Sequence, residues 1–212
     1  MNAADPTPEP TPGPDPAPPP TAALAAGARS GDTQQFNALY ERVAPALFAW
    51  ANLRIRPSMR LHVDPQDVVQ EVWMRSVTAF PRFDPATRSF RAWLFTIAKN
   101  VLLEGFRKLR RSPIAQAQGG STTRLFALAN VPEDITSLSG RLAKNEAVET
   151  FLDKVGELSK DDRNLMLHCG LEGLTCAEAA TRLDLGEAAV IKRWQRLRAR
   201  LREQGWARQM LE

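Results

Sequence analysis

The sequence predicts an all-α protein with two small helical domains, which a flexible linker joins and a disordered Pro-rich tail precedes. Apolar residues recur at three- and four-residue steps over most of the chain, as they do on one face of a helix. No segment keeps the two-residue alternation of a half-buried strand. A stretch rich in Gly, Pro, Ser and Thr separates the two periodic parts, so we expect two cores. The predicted boundaries are 1–21 for the tail, 22–111 for the first domain, 112–141 for the linker and 142–212 for the second domain.

Composition narrows the class of protein. With 212 residues and 43% hydrophobic residues, the chain has enough apolar surface for two small cores. The net charge of +4 is modest, but Lys and Arg cluster at 107–111 and 192–202, which favours a polyanionic partner. There are two cysteines, no charged leader and no apolar run long enough to span a membrane. We therefore expect a cytoplasmic protein without disulfides, membrane insertion or cofactors.

The first periodic segment follows the tail. Residues 1–20 are mostly Pro with Thr, Ala and acidic residues, so they cannot bury enough apolar surface to offset the entropy of ordering. A solvated extension is expected there, and a PxxP-type ligand stays open as an alternative. From Ala22 the pattern becomes helical, and Pro57 interrupts it.

A new helix is predicted from Asp64. Asp64 is suited to the N-cap, and Pro65 fits the first turn, where its missing N–H has no cost. The apolar face is formed by Val68, Val69, Val72, Trp73 and Val77. The opposite face is expected to show Asp67, Gln70, Glu71 and Arg75 to solvent or to a partner.

An aromatic loop and a basic helix come next. Residues 80–89 contain two prolines and predict a loop, and residues 90–109 are again helical by pattern. The helix runs into the basic cluster at 107–111, which lacks any acid and so favours a nucleic-acid contact over a merely solvated surface. By their spacing, the residues of this helix that face inward are Trp93, Leu94, Ile97, Val101 and Leu102.

The second half predicts a helix-turn-helix after helices at 142–158 and 160–170. Thr175 and Glu178 form the sequence pattern of a capping box, which begins a short helix. A turn at 184–186 leads into a long helix from Glu187 with one apolar and one basic face. This is the form of a recognition helix for the major groove, although a basic face can also be solvated or bind an acidic protein.

Two motifs resemble those of a known family. Asp64-Pro-Gln-Asp67-Val-Val-Gln70-Glu71 is similar to a D-x-x-D-V-V-Q-E helix, and Phe90-Arg-Ala-Trp93-Leu-Phe-Thr-Ile-Ala-Lys-Asn100 is similar to F-x-A-W-L-x-x-I-A-x-N. Both resemble the extracytoplasmic-function branch of the sigma-70 family, the dissociable promoter-recognition subunits of bacterial RNA polymerase. The resemblance covers nearly everything after Ala22 and implies a region 2 bundle followed by a region 4 helix-turn-helix.

The resemblance also implies the site residues. Contacts to the clamp coiled coil of core polymerase are implied for Asp64, Asp67, Gln70 and Glu71. Contacts to the minus-ten element are implied for Phe83, Asp84, Thr87 and Arg88 at the pocket of a flipped base, for Trp93, Phe95 and Asn100 along the strand path, and for Arg107, Lys108, Arg110 and Arg111 as the basic track. In this role Trp93 and Phe95 would be stacking platforms for bases, and the alternative is that both are ordinary core residues. Contacts to the minus-thirty-five element are implied for Glu187, Lys192, Arg193, Gln195, Arg196 and Arg200. Ile191 and Lys192 depart from the family's usual Lys and small polar residue, so the upstream promoter sequence cannot be carried over.

Other functions were weighed against this one. A magnesium nuclease built from Asp64, Asp67 and Glu71 is disfavoured because no partner motif accompanies these carboxylates. A zinc site at His168, Cys169 and Cys176 is disfavoured because a second ligand pair is missing. A stand-alone helix-turn-helix regulator stays open, but it would be expected to dimerise on palindromic sites. The expected protein is not an enzyme, holds no metal, and binds core polymerase, promoter DNA and, by resemblance, an anti-sigma protein.

Overall fold

The computed structural model describes residues 21–111 and 133–206. The predicted tail, residues 112–132 of the predicted linker and residues 207–212 lie outside the described residues. The all-α class is confirmed, because every regular element in the two described ranges is helical. The helices are α1 (Thr21–Arg29), α2 (Thr33–Arg54), α3 (Pro65–Ala79), α4 (Phe90–Arg111), α5 (Glu133–Leu142), α6 (Glu146–Glu157), α7 (Lys160–Leu165), α8 (Cys176–Leu183) and α9 (Glu187–Glu203). Short 3-10 turns occur at Pro57–Met59 and Phe80–Arg82, and a π-helical segment at Met166–Leu171 continues α7.

The two described ranges, residues 21–111 and 133–206, are called the first and the second half of the chain. In the first half, local sequence signals set the helix ends. The Asp64 carboxylate accepts a hydrogen bond of 2.8 Å from the Gln66 backbone N–H, and Pro65 occupies the first turn of α3, as predicted. Asp32 caps α2 in the same way by accepting from the Gln35 backbone N–H at 3.1 Å. Each cap satisfies a backbone donor that the helix itself leaves unpaired, so the caps define where α2 and α3 begin.

The first-half core lies between α2, α3 and α4. Leu39, Leu47, Val68 and Leu94 are fully buried there. The Tyr40 hydroxyl crosses from α2 to donate a 2.6 Å hydrogen bond to the Val69 carbonyl of α3. Apolar burial supplies the attraction, and this buried polar contact fixes how the two helices sit against each other.

Helix α5 lies in a range where the sequence predicted linker. Its buried residues Ile135, Leu138 and Leu142 pack against α2 and α3. They are spaced three and four residues apart, which is a helical stripe, but polar and small neighbours conceal it in the sequence. The helix predicted to start at residue 142 instead begins at Glu146, where the Asn145 side chain accepts from the backbone N–H groups of Ala147 and Val148.

The second half contains the predicted helix-turn-helix. Helix α8 leads into α9 through Asp184, which adopts a left-handed conformation with φ of 55°. Helix α9 buries Val190, Leu197 and Leu201. The buried residues of both halves form one contiguous cluster, so the two separate cores expected from the sequence are in fact in contact. Within the described residues, no helix has both the length and the apolar character that crossing a membrane requires.

Candidate protein and nucleic-acid interfaces

The polar face of α3 is less exposed than the sequence predicted. Asp64 and Asp67 are half-buried, whereas Gln70 and Glu71 are only 9% and 8% exposed. The Gln70 side-chain amide donates a 2.8 Å hydrogen bond to the Ser139 hydroxyl of α5. The expectation of an open face at Gln70 and Glu71 is therefore corrected, and the cause at Gln70 is a helix that arrives from the other half of the chain.

Glu71 is covered by a charge network. Arg75 donates to the Glu71 carboxylate at 2.6 Å and also contacts the Glu104 carboxylate at 2.7 Å. Burial by itself lowers the pKa of Arg75, but the hydrogen bonds with Glu104 and Glu71 outweigh it and raise that pKa. The network keeps both carboxylates close to a cation and ties α3 to α4.

Three aromatic residues expected to meet DNA lie in the core. Phe83 is stacked on Phe80 with ring centroids 5.6 Å apart and lies 5.1 Å from the Trp93 ring. Phe95 is fully buried and meets Trp50 edge to face at 5.7 Å. A ring enclosed in this way offers no free face to a base, so Phe83, Trp93 and Phe95 are core residues in this structure, which favours the core alternative for Trp93 and Phe95 over the stacking platform.

The polar residues around this aromatic core are exposed. The Asp84 carboxylate accepts from the Ala86 backbone N–H at 3.0 Å, and the Thr87 hydroxyl donates to the Asp84 carbonyl at 2.9 Å. These bonds shape the loop in front of α4 as a compact turn. The exposed predicted site residues of this region are Asp84, Thr87, Arg88, Asn100, Arg107, Lys108, Arg110 and Arg111.

Helix α9 keeps most of its polar face in solvent. Glu187, Lys192, Gln195, Arg196 and Arg200 are exposed, and Arg193 is half-buried. Two of the arginines are paired with carboxylates at the start of α7. Arg193 contacts Asp161, and Arg200 contacts Asp162, each at 2.8 Å. These acids occupy the guanidinium groups that the sequence assigned to DNA, so phosphates would have to replace them.

The helix-turn-helix begins as the sequence predicted. The Glu178 backbone N–H donates to the Thr175 hydroxyl at 3.2 Å, and the Glu178 carboxylate accepts from the Thr175 backbone N–H at 2.8 Å. The capping box is thus complete, and it lowers the pKa of Glu178, chiefly through the Thr175 backbone hydrogen bond. The start of α8 is thereby set locally, independently of any partner.

Glu172 is a functional candidate that the sequence analysis missed. Its side chain is fully buried at the junction of the two halves. One carboxylate oxygen accepts from the Trp50 indole at 2.9 Å and from Arg54 at 2.6 Å. The other oxygen lies 3.2 Å from the ring of His168, 3.1 Å from Arg182 and 3.6 Å from Lys99. A single Glu in the sequence carries no signal of such a network, because Trp50, Arg54 and Lys99 come from two distant helices, α2 and α4.

The network keeps Glu172 ionised. Burial would raise the pKa of the carboxyl group, but hydrogen bonds from His168, Trp50 and Arg54, together with the charge of Arg54, lower that pKa to about 2. Burial in turn lowers the pKa of Lys99, although Glu172 opposes that effect. At neutral pH a charged carboxylate therefore connects the two halves.

The two cysteines are half-buried free thiols. Burial raises the pKa of Cys169 to about 12, and the neighbouring Cys176 adds to this effect. Such a thiol stays protonated at neutral pH in the free protein. Across residues 21–111 and 133–206, no three His, Cys, Asp or Glu side chains are grouped so that they could hold a metal ion.

Known proteins that are similar to this chain in sequence are RNA polymerase sigma factors. The sequence model of sigma-70 region 2 matches residues 39–112. The RNA polymerase sigma factor CnrH of Cupriavidus metallidurans is 32% identical over 181 residues, which span 84% of this chain and 90% of CnrH. The ECF RNA polymerase sigma factor SigL of Mycobacterium tuberculosis is 27% identical over 172 residues, which span 81% of this chain and 89% of SigL.

A solved structure, that of CnrH in complex with the cytosolic domain of CnrY, matches with 31% identity and a TM-score of 0.39 and covers 85% of this chain and 94% of that chain. The family relationship rests on the sequence matches, of which the CnrH match spans nearly the whole of both proteins. The chain belongs to the extracytoplasmic-function branch of the sigma-70 family and is an RNA polymerase sigma factor, whose partners are core RNA polymerase and promoter DNA.

Proposed function

We propose that α3 is the helix that docks on core polymerase, with Asp64, Asp67, Gln70 and Glu71 as its polar contacts. The half-buried carboxylate of Asp67 supports this role, because it lies in the first turn of the helix, next to the Asp64 cap. A carboxylate in this position suits a basic partner surface. Gln70 and Glu71 add to the contact once their own partners in the chain release them.

The loop before α4 and the exposed side of α4 are proposed to bind the minus-ten element. Asp84, Thr87 and Arg88 offer hydrogen-bonding groups beside the helix, as the pocket of an extruded base requires. Asn100, Arg107 and Arg111 follow each other at seven and four residues on α4, so they share one face of the helix. Lys108 and Arg110 add charge beside that track. Phe83, Trp93 and Phe95 contribute to this surface as its rigid support.

Helix α9 is proposed to enter the major groove of the minus-thirty-five element. The observation that carries the proposal is the contrast between its two sides. Val190, Leu197 and Leu201 are buried, whereas Lys192, Gln195 and Arg196 are exposed on adjacent positions of the opposite side. Lys192, Gln195 and Glu187 are placed to read base edges, and Arg193, Arg196 and Arg200 to bind phosphates. The Asp161 and Asp162 partners of two of these arginines would yield to the phosphates.

Beyond these three surfaces, the proposal covers the region boundaries, the localisation and a regulatory partner of the protein. We assign region 2 to residues 22–111 and region 4 to residues 142–212, and we propose a cytoplasmic protein without catalytic activity of its own. A regulatory protein that binds this chain is also proposed, because CnrH, which is 32% identical, has been solved in complex with the cytosolic domain of CnrY.

Transcription with purified components tests the docking assignment. The chain is mixed with bacterial core polymerase that lacks a sigma subunit, and discrete transcripts are sought from a fragmented library of the host genome. Asp67→Lys is expected to abolish both the complex with core and the transcripts, because it reverses the charge of the proposed contact. Asp67 is preferred to Glu71 for this test, since Asp67 is half-buried whereas Glu71 is buried.

The matched control is Glu149→Lys, which makes the same change of charge at an exposed position of α6. It is expected to transcribe like the wild type. Equal binding of core polymerase by Asp67→Lys and wild type would remove α3 as the docking helix. Absence of any complex with core, alongside tight binding to a palindromic duplex, would instead support a stand-alone regulator.

A further inference from the structure

Helix α5 covers part of the face of α3 that is proposed to dock on polymerase. Leu138 and Ser139 of α5 are 7% and 1% exposed, so the helix is held firmly in place. The Ser139 hydroxyl accepts from Gln70 at 2.8 Å and donates to the Thr136 carbonyl at 2.9 Å. Gln70 thus makes inside this chain the kind of hydrogen bond that it would make to polymerase.

A polar contact elsewhere holds the two halves in this arrangement. The buried Glu172 carboxylate accepts hydrogen bonds from Trp50 and Arg54 of α2 and lies near Lys99 of α4. Beside it, the Arg91 guanidinium donates to the Leu171 carbonyl at 2.7 Å. These contacts link the end of the π-helical segment of the second half to the helices of the first half, and Glu172 carries the negative charge among them.

The contact around Glu172 is suited to opening. The side chains of Arg54, Lys99 and Arg182 are 32%, 21% and 41% exposed, so water already reaches all three cations. A cavity of about 440 Å³ adjoins the network and is lined in part by Trp50, Arg54 and Lys99. This cavity is open to solvent, so water reaches the partners of the central carboxylate from that side. One carboxylate offsets the repulsion among three cations, and without it the same residues would push the halves apart.

We propose that Glu172 is a latch between the two halves, which keeps α5 on the docking face of α3 and makes the free protein a closed form that core polymerase must open. The inference rests on the proposed docking role of α3. Polymerase and α5 compete for the same face, so the apparent affinity for polymerase is the intrinsic affinity reduced by the fraction of open molecules. Opening also frees the second half to reach its own DNA element.

The first test uses Glu172→Gln in the full-length chain, with Glu157→Gln as a control of equal charge change at an exposed position of α6. Binding to core polymerase is measured by titration of fluorescently labelled protein. Glu172→Gln is expected to bind about 5-fold to 150-fold more tightly, which is the usual range for coupling between sites. The control is expected to bind like the wild type. Equal affinity of Glu172→Gln and wild type would overturn the latch.

Amide hydrogen exchange tests the same idea, first in the wild-type protein and then in Glu172→Gln. The amides of α5 are expected to be protected in the free wild-type protein and to exchange faster when core polymerase is bound. They are expected to exchange faster in free Glu172→Gln as well. Continued protection of α5 in the polymerase complex would show that polymerase docks without displacing this helix, and the proposal would fail whatever the variants do.

A second variant is designed to open the closed form at the contact between α5 and the first half. Leu138→Asp places a charge in the buried face of α5 and is expected to raise affinity for polymerase while leaving Glu172 in place. Circular dichroism at 222 nm reports whether either variant still folds. The double variant is expected to bind at least as tightly as the better single variant and to gain no more than the product of the two single gains, because both substitutions raise the same fraction of open molecules, which cannot exceed one. A double variant that binds less tightly than either single variant, although it folds, would contradict a single latch.

Asp67→Lys separates failure of the latch from failure of the docking assignment. If Asp67→Lys abolishes binding while Glu172→Gln leaves the affinity unchanged, α3 docks and the latch is wrong. If Asp67→Lys binds normally while Glu172→Gln binds more tightly and α5 exchanges faster, the halves do open, but the face that opening exposes is not the docking face. In that case α3 is not the docking helix, and the latch proposal fails with it.

Discussion

The two proposed partner-binding helices, α3 and α9, differ in how much of their polar face remains available. Each has an apolar stripe at helical spacing and a polar face opposite it, so the two patterns predict the same kind of surface. In the structure Gln70 and Glu71 of α3 are buried, whereas Lys192, Gln195 and Arg196 of α9 are exposed.

The reason is the number of neighbours around each helix. Helix α3 has α2, α4 and α5 packed around it, and α9 packs mainly against α7 and α8. The Gln70 partner, Ser139, is 69 residues away in the sequence. An amphipathic pattern therefore predicts which side of a helix faces its own core, but it cannot show whether a distant segment covers the other side.

The largest expected effect is a loss of stability when a buried residue of the first half is truncated. Phe95→Ala is expected to lower the free energy of unfolding by about 3–5 kcal/mol, as truncation of a buried Phe usually does. The Phe95 ring is fully buried against Trp50, so its loss leaves a cavity. Urea denaturation followed by circular dichroism measures the change.

Asn100→Ala is the matched comparison, because Asn100 is exposed on the same helix. Its free energy of unfolding is expected to stay within about 0.5 kcal/mol of the wild type. A Phe95→Ala protein as stable as wild type but unable to open promoter DNA would restore Phe95 as a platform for bases.

The next effect concerns the contact that joins the two halves. Since the pKa of Glu172 lies at about 2 against an ordinary 4.5, the carboxylate contributes up to about 3 kcal/mol to the free energy of unfolding at neutral pH. A lowered pKa gives a contribution that is complete above about pH 4.5 and is lost as the pH falls towards about 2. Burial lowers the pKa of Lys99 and offsets part of the gain.

Glu172→Gln removes this pH dependence. The difference in unfolding free energy between wild type and Glu172→Gln is expected to be largest between pH 5 and 7 and to shrink steadily below about pH 4.5. Urea denaturation of both proteins across this range measures it. A difference that is the same at pH 6 and pH 2.5 would mean that the Glu172 charge does not stabilise the junction.

The sequence predicted those parts of the structure that local chemistry determines. The Asp64 cap, the Thr175 capping box and the two motifs of the family could all be read directly, since each depends on neighbours within a few residues. Helix α5 was missed because Ile135, Leu138 and Leu142 lie among polar residues with turn preferences.

The remaining differences arise from tertiary contacts. Whether Trp93 is a platform or a core residue depends on Phe80 and Phe83, which fold over it from the preceding loop. Glu172 gains its role only when α2, α4, the π-helical segment and α8 meet. No pattern within any one of these segments contains that information.

The smallest expected effect is on DNA binding by the exposed polar face of α9. Arg196→Ala is expected to weaken promoter binding by the polymerase holoenzyme by about 1.5 kcal/mol, the lower end for a charged hydrogen bond, if Arg196 meets a phosphate. The slope of log affinity against log salt concentration should fall by about 0.9 for the lost contact.

Arg193→Ala should weaken binding less than Arg196→Ala does. In the wild type Arg193 must first leave Asp161 before it can bind a phosphate, and this cost is absent once the side chain is removed. Asp161→Ala, which frees Arg193 in advance, is then expected to strengthen binding slightly, and filter binding across a salt series compares all three variants. An unaltered salt slope in Arg196→Ala would show that the exposed face of α9 does not meet the DNA backbone, and the contrast between α3 and α9 would then reflect packing alone.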